Sequence, residues 1–190
     1  VSAEVVNPMD PYTVEDWLAE DPPPDGSKRE LILGKIRVSP FASTGHNAIG
    51  DELCALFKSA LRLAGVRGRY PVTNVNLVLS AARRTAVVPD LAILNVRPGP
   101  LTVTPQQVEL VAEIWSPSNR NRDRSEKLDA YAQAGIRYFW VLETAGPVVH
   151  AYELRAGRYH LATTLRDGTA ATITAAPVPV TFDPADLLVE

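Results

Sequence analysis

The chain has 190 residues, 46% of them hydrophobic, which fits a single domain (residues 1–190) with a sizeable core. A net charge of -3 gives no whole-molecule attraction to nucleic acid, so any such contact must come from local basic patches. The single cysteine, Cys54, excludes an internal disulfide framework and a cysteine zinc site, and its neighbours Leu53, Leu56 and Phe57 mark it as a small core residue.

Taken in chain order, Thr13-Val14-Glu15-Asp16 predicts a short helix capped by Thr13. The Asp21-Pro22-Pro23-Pro24-Asp25-Gly26 stretch ends it, so residues 1–26 read as an N-terminal helix and loop. Glu30 to Ser39 predicts a hairpin turning at Gly34-Lys35. Apolar residues at Ile49, Leu53, Leu56, Phe57, Ala60 and Ala64 have helical spacing, which predicts an amphipathic helix over 45–64 stopped by Gly65. Strands are expected at Pro71 to Leu79 and Ala86 to Leu94, joined by a turn holding Arg83 and Arg84, then a loop from Arg97 to Gln107.

Val108 to Trp115 predicts a strand that leads into a helix ending at Gly135, and Arg137 to Glu143 a strand rich in aromatic residues. Val148 to Leu154, Tyr159 to Leu165 and Thr169 to Ala175 read as an antiparallel meander, and residues 177–190 as a surface tail. The fold class expected is α/β of the α+β kind: a mixed sheet flanked by helices, not an alternating doubly wound fold. No apolar run approaches membrane-spanning length and the acidic, proline-containing start does not read as a signal peptide, so a cytoplasmic protein with no membrane partner is expected.

Two apolar runs carry a carboxylate each. Asp90 lies in Ala86-Val87-Val88-Pro89-Asp90-Leu91-Ala92-Ile93-Leu94, and Glu113 in Val108-Glu109-Leu110-Val111-Ala112-Glu113-Ile114-Trp115. A buried strand rarely holds a carboxylate without a partner, so a cation between the two is expected. The helix that follows supplies Lys127. At about 100° per residue, Arg120, Asp123, Arg124, Lys127 and Tyr131 fall within an arc of about 100°, while Arg122, Glu126, Asp129 and Gln133 fill a narrower arc on the far side. The second arc, with its mixed charges, is the expected solvent face, which leaves the first to line a site. The bland alternative is a short helix solvated on both sides.

These residues carry a resemblance. The ordered segments Glu30-Leu31-Ile32-Leu33-Gly34, Ser39-Pro40 with His46, Val88-Pro89-Asp90-Leu91-Ala92, Val111-Ala112-Glu113-Ile114-Trp115-Ser116-Pro117-Ser118, Asp123 to Lys127 to Tyr131, Ala134-Gly135-Ile136 and Tyr138-Phe139-Trp140-Val141 span most of the chain. They resemble the PD-(D/E)XK nuclease superfamily, most closely its Uma-type branch of candidate bacterial restriction endonucleases. The superfamily pattern puts lysine two residues after the glutamate, where this chain has Trp115; in the Uma-type branch the lysine has moved to the following helix, which nominates Lys127.

The resemblance implies a restriction-endonuclease-like fold and a metal-dependent endodeoxyribonuclease. It implies metal ligation by Asp90, Glu113 and the carbonyl of Ile114, and hard oxygen donors favour Mg2+ or Mn2+. Lys127 is expected to stay protonated and to orient water or stabilise charge, or else to form a structural salt bridge to Asp123 or Glu113. Glu30 matches the family's first acidic position, as a further metal or water ligand or as an ordinary hairpin charge. His46 matches a family position too, in contact with substrate or in a capping role. Tyr131 either orients Lys127 or Glu113 or simply packs. Arg120 and Arg124 are candidates for phosphate contact, and Arg67, Arg69, Arg83 and Arg84 for an extended basic surface. DNA is the expected partner and a homodimer the expected state. The competing readings are a catalytically degenerate binding or regulatory protein on the same fold, favoured by Trp115 and the acidic net charge, and a structural partner in a larger assembly. No P-loop, dinucleotide glycine pattern or Gly-x-Ser-x-Gly elbow is present.

Overall fold

The computed structural model describes residues 11–39, 42–99, 101–115 and 121–188, the side chains of 121–123 excepted. Its architecture is mixed α+β. The first helix, α1 (Val14–Ala19), starts at the capping box expected: Thr13 Oγ1 accepts from the Asp16 amide and Asp16 accepts from the Thr13 amide. A hairpin of β1 (Lys28–Ile32) and β2 (Lys35–Ser39) follows. Leu33 and Gly34 both have positive φ, 51° and 76°, the conformation of a two-residue turn matched to strand twist. Gly34 has a second constraint, since a Cβ there would come 2.6 Å from Pro11 Cβ.

The long helix α2 (Thr44–Leu63) is capped by Ser43, whose Oγ accepts from the His46 amide. Its buried stripe is Ile49, Leu53, Phe57 and Leu61, so three of the expected positions are buried, Leu56 and Ala60 are half-buried, Ala64 is exposed, and Leu61 takes the place next along the stripe. The next two strands depart from expectation. The segment 71–79 is divided into β3 (Tyr70–Thr73) and β4 (Asn76–Ser80), which lie in different sheets, with Asn74 at φ 53° between them. The segment 86–94 is divided likewise into β5 (Thr85–Val87) and β6 (Leu91–Leu94), with Pro89 in the break, where a missing N–H costs no ladder bond. β3 pairs with β6 and β4 with β5, so the two segments bend together and pass from one sheet to the other at the same level.

After β7 (Thr102–Val103) and a 3-10 turn at Pro105–Gln107 come β8 (Val108–Trp115), α3 (Asn121–Ala134), β9 (Tyr138–Glu143) and the hairpin of β10 (Val148–Arg155) and β11 (Arg158–Arg166). Among the described residues one sheet has the order β2-β1-β5-β4-β7, and the larger has the order β11-β10-β9-β8-β6-β3. β8 and β9 are parallel, with α3 as their crossover, and both are buried on two faces. One face of the larger sheet, including Leu91, Ile93, Leu110, Ile114 and Trp140, packs on α2. The other, including Ala92, Leu94, Val111, Phe139 and Val141, packs with Tyr131 of α3 and with Leu77 and Val87 of the smaller sheet.

Residues 177–188 are not a surface tail. The segment expected as the meander's third strand forms β12 (Ala171–Ile173), which pairs with β13 (Val180–Phe182) in a separate ribbon. Val178, Val180, Phe182 and Leu187 are buried, Phe182 stacks on Trp140 at 6.1 Å, and Trp140 Nε1 donates to the Ala175 carbonyl at 2.7 Å. Alternation of Val178, Val180 and Phe182 is a strand period, and the interspersed Pro177 and Pro179 disguise it as loop.

Candidate active site

Asp90 occupies the bend where the chain changes sheets. Leu91 of β6 pairs with Ala112 of β8, and extending that register by one residue sets Asp90 opposite Glu113. Period-2 alternation puts both on the face with Ala92, Leu94 and Val111, toward α3. The smaller sheet contributes Glu30 from β1, whose Oε1 accepts from the Val88 amide at 2.8 Å, in the same bend. These three carboxylates are buried, at 3%, 7% and 3% exposure for Glu30, Asp90 and Glu113.

α3 closes the group from the side. Lys127 Nζ lies 2.9 Å from Glu30 Oε1 and 3.0 Å from Glu113 Oε1, bridging the two sheets. One turn further on, Tyr131 OH donates to Glu113 Oε1 at 2.6 Å. Asp90 has two hydrogen-bond donors and a close histidine nitrogen. The Ile114 amide reaches Oδ2 at 2.7 Å, Lys28 pairs with Oδ1, and His46 Nε2 is 3.0 Å from Oδ1 without meeting it along a hydrogen-bond direction. His46 arrives there because it sits in the first turn of α2, fixed by the Ser43 cap.

The electrostatics follow from burial and crowding. Burial pushes Glu113 up to about 7; Lys127 opposes this, and the charges of Asp90 and Glu30 reinforce it. Burial also works against ionised Asp90, yet His46 and the Lys28 ammonium hold it well below the usual carboxylate range. Burial would lower Lys127, but Glu113, Glu30 and Asp90 raise it, so it stays an ammonium. Tyr131 is raised well above its ordinary value by burial and then by Glu113, so it acts as a donor and not as a phenolate.

The structure therefore brings Glu30, Asp90, Glu113, Lys127, Tyr131 and His46 together. Arg124 turns to β8 and β9 instead, with its guanidinium 4.7 Å from the centre of the Trp115 ring and Nη1 3.4 Å from Glu143 Oε1. Arg120 and Pro40 lie outside the described residues, as do residues 116–118. Glu126, expected on the solvent face of α3, is half-buried and pairs with Arg37 of β2 at 3.2 Å, while Asp129 and Gln133 of the same arc are exposed. Lys28 was missed. The available signal is its spacing: two residues before Glu30 on a strand, it shares Glu30's face.

Among the described residues no three acidic, histidine or cysteine side chains converge closely enough to enclose a metal ion by themselves. A site with fewer protein ligands remains open: Asp90, Glu113 and one backbone carbonyl. Trp115's carbonyl accepts from Thr144 on the β9 edge, so by strand alternation that of Ile114 faces the β6 edge, toward Asp90. This hard-oxygen set fits Mg2+ or Mn2+, which take one or two carboxylates and complete their shell with water and phosphate oxygens.

The family model Uma2, described as "Putative restriction endonuclease", matches residues 14–183. Among solved structures, the chain is similar to a protein described as "a putative nuclease belonging to DUF820 from Anabaena variabilis", at 18% identity and a TM-score of 0.71, over 93% of this chain and 97% of that one. At that identity the likeness shows the fold, a restriction-endonuclease-like mixed sheet flanked by helices. No curated protein matches the chain.

Proposed function

The chain belongs to the Uma2 family, described as "Putative restriction endonuclease", and from that premise we propose that it is a metal-dependent phosphodiester hydrolase, an endonuclease acting on DNA. The observation that carries the reading is the buried meeting of Glu30, Asp90, Glu113 and Lys127 from separate elements. Ionisable groups gathered at such a cost in desolvation are characteristic of sites for charged chemistry. Asp90, Glu113 and the Ile114 carbonyl are the proposed ligands for Mg2+ or Mn2+. When bound, the ion supplies Lewis-acid polarisation of the scissile phosphate and a more acidic water.

The rest falls to the chain's own residues. Lys127, held as an ammonium, orients the attacking water and offsets charge that develops on the phosphate. Tyr131 fixes Glu113 and, through it, Lys127. Glu30 anchors the other side of Lys127 and is available to a second metal or an outer water. His46 faces the Asp90 oxygen that Lys28 also uses. Arg120 and Arg124 are proposed for phosphates flanking the cut, Arg124 by exchanging its Glu143 contact for a phosphate oxygen. A homodimer is proposed because cutting two strands favours paired sites, and a cytoplasmic location goes with a DNA substrate. Among the described residues no helix is long and apolar enough to cross a membrane.

A second reading, a binding or regulatory protein that has lost the chemistry, is favoured by Trp115 where the superfamily places its lysine. The test is a cleavage assay on plasmid, linear and single-stranded DNA with Mg2+ or Mn2+, using wild type beside Glu113→Ala. Cleavage by wild type alone supports the enzyme and the site. Equal cleavage by both removes Glu113 from the mechanism. No cleavage and no calorimetric metal binding by the wild type favours the second reading.

A further inference from the structure

The proposed metal site already contains a cation in a ligand position. Asp90 Oδ2 is tied to the Ile114 amide, but Oδ1 is taken by the Lys28 ammonium, with His46 Nε2 3.0 Å away. A divalent ion on Asp90 Oδ1 and an ammonium on the same atom would be two positive centres within a few ångströms of each other, which low-dielectric surroundings make strongly unfavourable.

The two lysines of the site differ in how firmly they are held. Lys127 bridges Glu30 and Glu113 from a helix packed over them. Among the described residues Lys28 pairs with one carboxylate, Asp90, from the first residue of β1; its side chain is 20% exposed against 17% for Lys127, so the two differ in their number of partners and not in exposure. An ammonium is a hydrated point charge on a flexible stem with no fixed donor geometry, so leaving for water through an exposed side costs it little orientation.

Resting on the metal-dependent reading above, we propose that Lys28 is a displaceable counter-ion: its ammonium neutralises Asp90 in the metal-free protein, and a divalent cation binds by displacing it. Lys28 thus stabilises the empty site and weakens the metal's affinity for it. The prediction is counter-intuitive for a residue in contact with a ligand, because deleting it should tighten binding.

The test is calorimetric titration of the full chain with Mn2+, comparing wild type with Lys28→Met, Lys28→Gln and Lys28→Arg, alongside thermal melts in chelator and in excess Mn2+. Lys28→Met and Lys28→Gln should bind Mn2+ at least about tenfold more tightly, the scale of one favourable charge interaction. They should also melt lower in chelator and rise further on adding metal, while Lys28→Arg stays close to wild type. Wild-type binding with unchanged or weaker affinity in Lys28→Met and Lys28→Gln would overturn this inference alone. Absence of binding by all four proteins would overturn the metal-dependent reading and this inference with it.

Discussion

Lys127 Nζ lies 3.0 Å from Glu113 Oε1 and 3.1 Å from Oε2, and the same ammonium is 2.9 Å from Glu30. It is the electrostatic bolt between the two sheets. Removing it by Lys127→Met leaves two buried carboxylates unpaired, and breaking a buried pair from one side costs about 3–5 kcal/mol. The expected result is a large fall in melting temperature in chelator, partly recovered in Mn2+. Cleavage should fall further than calorimetric metal affinity does. An equal loss of both would mean that Lys127 is only a structural partner of Glu113.

Glu113 links the site to pH. Its carboxyl is raised from an ordinary 4.5 to about 7 in the folded protein. Between those values the folded state keeps a proton that the unfolded chain has released, so stability falls as pH rises through the window and the loss is complete above about 7. The shift corresponds to roughly 3 kcal/mol. Asp90 titrates below this window and Lys127 above it, so neither masks the slope. Urea unfolding in chelator at pH 5 and pH 8 should show the decline in wild type. Glu113→Gln should remove most of it, and an unchanged slope in that variant would assign the decline elsewhere.

Tyr131 makes a separable contribution. Its hydroxyl donates to Glu113 at 2.6 Å from a fully buried position, and its ring lies 5.5 Å from that of Phe139. Tyr131→Phe keeps the ring and deletes the donor, which should cost about 1.5–3 kcal/mol, the range for a hydrogen bond to a charged group. Because that bond favours the ionised form, the Glu113 carboxyl should titrate at still higher pH in the variant. Carboxyl-carbon NMR of the labelled glutamate reads this directly. A downward shift would mean that Tyr131 does not stabilise the carboxylate.

What is legible in the sequence follows from where polar groups interrupt apolar runs. Asp90 and Glu113 stand out because a charge inside a strand pattern demands a partner, and Lys127 and Tyr131 because four residues apart on a helix share a face. Lys28 stayed hidden among the charges of a hairpin: its role depends on Asp90, 62 positions later, which only the sheet-to-sheet bend brings near. That bend was equally hidden. Residues 71–79 and 86–94 are each continuous in pattern, and the sheet change at Asn74 and Pro89 is a tertiary choice that periodicity does not encode. Arg124 illustrates the limit of helical geometry: an arc shared with Lys127 and Tyr131 does not foretell that its guanidinium lies over Trp115 and beside Glu143.

The end of the chain gives the remaining prediction, in stability and not chemistry. Phe182 is buried against Trp140, nearly coplanar with it at an interplanar angle of 14°, and Trp140 lies on β9, the neighbour of the strand that carries Glu113. Truncating it in Phe182→Ala should cost about 3–5 kcal/mol, as for other buried aromatic side chains. The lost stability should appear as a lower urea midpoint with an unchanged slope, because a small cavity alters the energy of folding and not the surface exposed by it. A surface tail predicts less than about 0.5 kcal/mol for the same change. Mn2+ affinity measured well below the melting temperature should be unaffected, since Phe182 packs on the α2 face of the sheet and the carboxylates lie on the other. If Phe182→Ala weakened metal binding in the folded protein, the two faces would be coupled through Trp140 and β9.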